Sequence, residues 1–184
     1  MISKVTLKSK DGNVIEAILK KLDKSYINSI MKFQDEIVEG LDNKELYFPS
    51  KEEEFLEFIS EKGNIVGCVT EDDDLIAMGV YCKLGYDDSN YGYDIGIKGE
   101  ELLKVGQIES TLVKENFRGN KLQRRICESL EEISKENGDL IISATASPYN
   151  PYSVNTFLDL GYEIAKDKIK YGGLRRYVLV KKFN

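Results

Sequence analysis

Residues 106–138 read G-Q-I-E-S-T-L-V-K-E-N-F-R-G-N-K-L-Q-R-R-I-C-E-S-L-E-E-I-S-K-E-N-G, and two periodicities within them limit the fold more than any other stretch. A β-rich run beginning at Val105 ends at Leu112 and Val113. After a turn, Leu122, Ile126, Leu130 and Ile133 recur at helical spacing, which predicts a helix over 121–137. Residues 139–146, D-L-I-I-S-A-T-A, then form a continuous apolar run of the kind carried by a strand buried on both faces. Strand, helix and strand in that order make a right-handed crossover between two parallel strands, which puts the chain in the mixed α/β class.

The turn that feeds the helix is Arg118-Gly119-Asn120-Lys121. A helix start presents unpaired N–H groups and the positive end of the helix dipole, so a turn with two cations beside it is suited to a phosphate. Asn120 is expected to cap the helix, with Gln123 in the reciprocal position of a capping box.

These residues carry a resemblance. L-V-K-E-N-F-R-G-N-K-L-Q resembles the acyl-CoA-binding signature of the GNAT superfamily of N-acetyltransferases, V-x-P-x-(Y/F)-R-G-x-G-x-(G/A), through Val113, Phe117, Arg118 and Gly119. Lys121 and Gln123 stand where that family has small residues. Downstream, N-P-Y-S-V-N-T-F-L-D-L-G-Y (150–162) is similar to the family's N-x-x-(A/S)-x-x-x-(Y/F)-x-x-x-G-(F/Y) at each spaced position. The resemblance covers about the C-terminal half of the chain. It implies a central mixed, mostly antiparallel sheet, a parallel pair splayed at the acyl-CoA site, and helices on both faces.

The resemblance also implies acetyl-CoA as co-substrate. Its pantetheine arm would lie along Leu112 and Val113, and its pyrophosphate on Arg118, Gly119, Asn120, Lys121 and Gln123. Arg124 would be a nearby cation, and Asn150, Ser153 and Phe157 would complete the site. Acyl transfer to an amine needs a deprotonated amine, and a free alkyl amine titrates near ~10, so a base is required. Glu109 is the candidate: it lies four residues before Val113 and so on the same strand face, roughly 13 Å away. The family's thiolate-protonating tyrosine corresponds to Phe157, which cannot donate. Tyr152 is the candidate substitute, with Tyr149 and Tyr162 also close in sequence, though none sits at the matching position.

Elsewhere the chain reads as scaffold. Val5 and Leu7 lead to a two-residue hairpin turn at Asp11-Gly12, and 14–19 return. Asp23 caps a helix running to about Glu39 that Gly40 stops, and Ser50 caps a second helix with Glu52, Glu53 and Glu54 in its first turn. Tyr47 and Phe48 are candidates for lining an acceptor pocket. Residues 65–70 and 75–84 form a meander, 85–99 a long mobile loop, and 163–165 and 174–182 the final strands, joined through Tyr171-Gly172-Gly173. Asn150 and Pro151 start the last helix and Gly161 ends it.

The 184 residues are expected to form one domain, 1–184, with an N-terminal β-hairpin (1–22), acceptor-side helices (23–62) and an acyl-CoA-binding core (105–166). A net charge of −6 argues against a nucleic-acid partner. Cys68, Cys82 and Cys127 read as reduced core thiols. There is no histidine, and Asp72 to Asp74 lack the ligand spacing of a calcium loop, so no metal is expected. No stretch approaches the ~20 apolar residues of a membrane span, and the expectation is a cytoplasmic monomer or homodimer. The functional expectation is an acyl-CoA-dependent N-acetyltransferase acting on a primary amine of a small molecule or protein. The alternatives are a non-catalytic acyl-CoA sensor and a partner-binding domain without a ligand.

Overall fold

A computed structural model describes residues 2–183. The opening hairpin consists of Ile2–Lys8 (β1) and Val14–Leu22 (β2). Its connection is longer than the two residues expected, because Lys8 pairs with Val14 and residues 9–13 close the turn, Ser9 N donating to Asn13 O at 2.9 Å. The Ser9 hydroxyl bonds Asp11 and Asn13 O, a local side-chain alternative to a tight turn.

Asp23 accepts from Ser25 N at 2.8 Å and starts a short turn into the helix Ile27–Glu39 (α1). The second helix, Glu52–Glu57 (α2), is not capped by Ser50. Lys51 is its first flanking residue, and the Glu54 carboxylate accepts from Lys51 N at 2.7 Å. Ser50 N is instead taken by Gln34 Oε1 on α1 at 2.9 Å, which ties the inter-helix loop down.

Gly63–Thr70 (β3), Leu75–Cys82 (β4) and Val105–Val113 (β5) follow, then Leu122–Glu136 (α3), Ile141–Ala146 (β6), Pro151–Asp159 (α4), Glu163–Lys170 (β7) and Leu174–Lys182 (β8). The strands form one sheet in the order β1-β2-β3-β4-β5-β6-β8-β7, antiparallel except for β5 and β6. On one face, Leu122, Ile126, Leu130 and Ile133 of α3 pack with Val154 and Phe157 of α4. On the other, Ile30 and Phe33 of α1 pack with Phe55 of α2, Val80 and Leu112. Gly79 lets α3 approach, since a Cβ there would lie 2.4 Å from Ile126 Cγ2. Among the described residues no helix is long and apolar enough to cross a membrane.

The parallel pair is bonded only from Val105↔Ile141 to Ile108↔Ala144. Beyond that point β5 continues with β4 alone and β6 with β8 alone, so the two strands diverge in a V. At the same level β5 bulges: Tyr81 pairs with Ile108 and Val80 with Ser110, leaving Glu109 as the extra residue. At the closed end, Asp139 is buried, accepting from Tyr81 Oη at 2.6 Å and Ser134 Oγ at 2.7 Å and pairing with Lys83 at 2.6 Å. Gly106 leaves room for that carboxylate, which a Cβ would meet at 2.3 Å.

The loop expected to be mobile is pinned. Asn90 donates to Gly85 O at 2.7 Å, Tyr91 is buried, and Asp94 is paired by both Lys168 and Lys170 of β7. The loop is therefore strapped to the β7–β8 hairpin.

Candidate active site

The open arms of the V border a cleft of about 920 Å³ that runs from the start of α3 to the loop between α1 and α2. Its walls come from the end of β5, the end of β6, the turn before α3 and the first residues of α4. Leu112, Val113, Arg118, Gly119, Lys121, Gln123, Arg124, Asn150, Tyr152 and Ser153 all line it, as does Glu109. Asn120 and Phe157 do not.

Glu109 does not share a face with Val113, as strict alternation would have it. The bulge shifts the phase of β5, so the Glu109 carboxylate sits with Gln107, whose Nε2 donates to it at 2.7 Å, on the α1/α2 side. Thr111 and Val113 face α3 and the opposite core. Tyr91 Oη also donates to Glu109, at 3.1 Å, and its own N–H is held by Gln107 Oε1 at 3.0 Å. The Tyr91 hydroxyl meets Tyr171 Oη at 2.5 Å, which meets Thr145 Oγ1 at 3.0 Å.

These groups form a chain of hydroxyls from β6 to the carboxylate. Burial pushes the Glu109 carboxyl above the usual carboxylate range, while the bonds from Gln107 and Tyr91 act the other way. Burial pushes the Tyr171 phenol up to about 12 and raises that of Tyr91 as well, so both remain protonated donors near neutral pH.

At the other end of the cleft the helix start differs from the expected capping box. Lys121 is the residue before α3; it adopts φ +58° and makes no side-chain cap bond. Asn120 instead pairs with the edge of β1, accepting from Lys8 N at 2.9 Å and donating to Lys8 O at 2.8 Å. An intact backbone edge 112 residues away outcompetes the local amide for that side chain. Gln123 is likewise not a capping partner, for its Nε2 bridges Thr111 Oγ1 at 3.1 Å and Ser153 Oγ at 2.8 Å, clipping β5 to α4. The first amides of α3 are thus left without a side-chain cap beside Arg118 and Lys121, which suits an anion. Lys121 takes the left-handed conformation that a small residue would take there.

Asn150 caps α4 through Ser153 N at 3.2 Å. Arg124 lies along the cleft and is paired with Glu128 at 3.0 Å. Tyr152 is 85% exposed at the rim, and Tyr149 is also exposed, whereas Tyr162 is buried against Phe157 in the core at 5.1 Å between ring centroids. Phe157 is therefore a packing residue rather than part of the cofactor site. Tyr47 and Phe48 both line the cleft; Tyr47 Oη donates to Gln34 Oε1 at 2.8 Å, and Phe48 stacks on Tyr171 with centroids 5.0 Å apart.

Three residues of this site are missed by the sequence reading. Tyr91 sits in a loop whose Gly, Asp and Tyr content marks it as a loop and nothing more. Tyr171 has one usable signal in the sequence, its place at the head of a Tyr-Gly-Gly turn; in the fold it takes φ +51°, an unusual conformation for an aromatic residue. Arg176, buried on β8 and lining the cleft, leaves no signal, because its neighbours read as an alternating strand.

The family model described as "Acetyltransferase (GNAT) family" matches residues 27–162. No curated protein matches the chain significantly. Among solved structures, the chain is similar to the GNAT domain of S. lividans PAT, at 15% identity over 98% of this chain and 97% of that one, with a TM-score of 0.67. It is also similar to Arabidopsis thaliana NAA60 in complex with acetyl-CoA, at 12% identity over 91% of this chain and 99% of that one, with a TM-score of 0.72. A third is the ribosomal-protein-S18-alanine N-acetyltransferase from Escherichia coli, at 12% identity over 90% and 93%, with a TM-score of 0.65. At these identities the structures speak for the shared fold, including its mostly antiparallel sheet and single parallel pair. The family match spans most of the chain and takes in both arms of the V together with the helix start between them, and on that ground the protein belongs to the acetyltransferase (GNAT) family and is an acyltransferase of that type.

Proposed function

We propose that the protein transfers an acetyl group from acetyl-CoA to a primary amine of a small molecule or protein, within a single catalytic domain. The observation that carries this reading is the position of Glu109: a half-buried carboxylate set out of register by a bulge, facing the cleft at the point where the parallel strands part. Family membership supplies the acyl donor, and the acetyl-CoA in the Arabidopsis thaliana complex is in keeping with it.

In this reading the pyrophosphate lies on the uncapped amides of α3 between Arg118 and Lys121, with Arg124 near an outer phosphate. The parted edges of β5 and β6 take the pantetheine arm in place of each other, at Leu112 and Val113. The acceptor approaches from the α1/α2 face, where Tyr47 and Phe48 border the cleft. Glu109 removes a proton from the ammonium, the freed nitrogen attacks the thioester carbonyl, the C–N bond forms, the C–S bond breaks, and the nitrogen gives its second proton to water to leave the neutral amide. The departing thiolate takes a proton from water or from Tyr152 at the rim. Burial raises the basicity of Glu109, which moves it toward the amine it must deprotonate.

The sensor reading has one observation in its favour, the buried Phe157 at the position of the family's usual proton donor. Release of free thiol over a panel of amines, run beside calorimetric titration with CoA, separates the two. Arg118→Glu is expected to weaken CoA binding by about 1–3 kcal/mol, the scale of a charge-assisted hydrogen bond. An unchanged dissociation constant in that variant would overturn the phosphate placement, and tight CoA binding without thiol release on any amine would leave the sensor.

A further inference from the structure

We infer that the acceptor carries a carboxylate or phosphate a short distance from its amine, and that Arg176 binds this group; the inference rests on the acetyl-transfer reading above. Arg176 is 3% exposed, and its Nη2 is buried without a hydrogen-bond partner. Nη1 donates to the adjacent Arg175 O at 2.9 Å, and the guanidinium lies 5.8 Å from the centroid of the Tyr171 ring. No carboxylate forms an ion pair with it among the described residues, and Glu45 on the loop above acts only through space. Burial accordingly lowers its pKa. A guanidinium buried without a counter-charge is costly to a fold, so a site that keeps one facing a cleft is complete only when a ligand brings the anion. A planar fork of N–H donors suits a carboxylate or phosphate edge.

The side of the sheet distinguishes this anion from those of the cofactor. Tyr177 packs into the α3/α4 core, so its neighbour Arg176 projects to the opposite face, where Tyr171, Tyr91 and Glu109 are found. The cofactor's phosphates are assigned to the start of α3. Tyr171 joins the two places: its ring lies beside the guanidinium, and its hydroxyl is one Tyr91 hydroxyl away from Glu109. An acceptor with its amine at Glu109 and its anion at Arg176 is therefore short. Above it, Phe48 stacks on Tyr171 and joins the α1–α2 loop to the β7–β8 turn, a roof that favours a small molecule.

The test compares matched acceptors: ω-amino acids of increasing length, aminoalkyl phosphates, and plain aminoalkanes of equal length. The wild-type protein should prefer one of the two anionic series, and the preferred series identifies the group. Arg176→Met should raise KM for that series by about 30-fold or more, the lower end of what truncating one partner of a buried charge pair removes. KM for the plain amines and the dissociation constant for CoA should stay unchanged. The unliganded variant should melt no earlier than wild type, because an unpaired buried charge has been removed, and Arg176→Lys should keep part of the preference. A wild-type preference for plain amines overturns the inference whatever the variants do. It is also overturned by an equal rise in KM for all acceptors, by weakened CoA binding, or by an early melt of Arg176→Met. If no amine is acetylated, calorimetric titration of the same compounds into the CoA-saturated protein still decides. Arg176-dependent binding of anionic amines would then uphold this inference while the transfer reading fails.

Discussion

The two ends of the β5–β6 pair bury charge in opposite ways. At the closed end the Asp139 carboxylate is met by Lys83, Tyr81 and Ser134, and the strands stay bonded around it. At the open end Glu109 receives only neutral donors, from Gln107 and Tyr91, while Arg176 keeps a nitrogen with no partner. Both ends are polar and both draw charge at least partly out of water, so polarity alone does not mark a site. The distinction lies in the partner: a buried charge met by an opposite charge holds the fold together, whereas one met only by neutral groups, at a place where the sheet comes apart, is open to a ligand.

The largest expected effect lies at the closed end. Asp139→Ala removes the common partner of three side chains and leaves Lys83 without its ion pair, so stability should fall by about 3 kcal/mol, at the lower end for a broken buried pair because Lys83 is partly exposed. Urea denaturation should show this as a lower midpoint, with turnover per folded molecule little changed. A loss of turnover without a loss of stability would mean that the two ends are not separable in this way.

How much of this contrast the sequence discloses follows from the range of the interactions. The strand Val105–Val113, the crossover helix and the parallel return are legible because each is encoded by a local apolar period. Glu109 is legible as the lone carboxylate of its strand, but its face is not, since the bulge depends on the pairing of Val80 and Tyr81 nearly thirty positions earlier. Asn120 reads as a cap for want of any local rival, and the rival is the edge of β1. Tyr91, Tyr171 and Arg176 come from a loop, a hairpin turn and a strand that meet only in the folded chain. The helix-start cations at Arg118 and Lys121 are the part of the site read most directly, because sequence neighbours form it.

A second expectation concerns Glu109 and is smaller in stability but larger in chemistry. Glu109→Gln should lower turnover by ~10²-fold near neutral pH with CoA affinity almost intact, and the deficit should shrink as pH rises toward the amine's own pKa. The wild-type rate should fall as pH drops through the raised pKa of the carboxyl, so the acidic limb of kcat/KM should stand above the usual value of 4.5. The sign for stability follows from the same shift. With the folded pKa raised, the folded protein holds the proton more tightly than the unfolded chain, and ionisation of Glu109 opposes folding above that pKa. Glu109→Gln should therefore be equal to or more stable than wild type at neutral pH, with the difference fading as pH falls to the unfolded value. An early melt of the variant at neutral pH would place Glu109 among the structural charges with Asp139.

The smallest effect is expected at Tyr171, and it tests whether the hydroxyl chain belongs to the open end's chemistry or only to its shape. Tyr171→Phe keeps the stack on Phe48 and the ring beside Arg176 while removing the bonds to Tyr91 and Thr145. Tyr91 would still donate to Glu109 and would lose only its own donor, so the carboxylate is left less well supported rather than bare. The loss should be about 1 kcal/mol, the net value of one hydrogen bond between neutral groups, seen as roughly a fivefold fall in kcat with KM little changed. Losing that donor leaves Tyr91 a poorer donor to Glu109, and a weaker bond to the charged carboxylate raises the carboxyl's pKa further. The acidic limb of the rate profile should shift upward with it. An effect confined to KM, with the pH profile in place, would assign Tyr171 to the roof over the acceptor and not to the proton path.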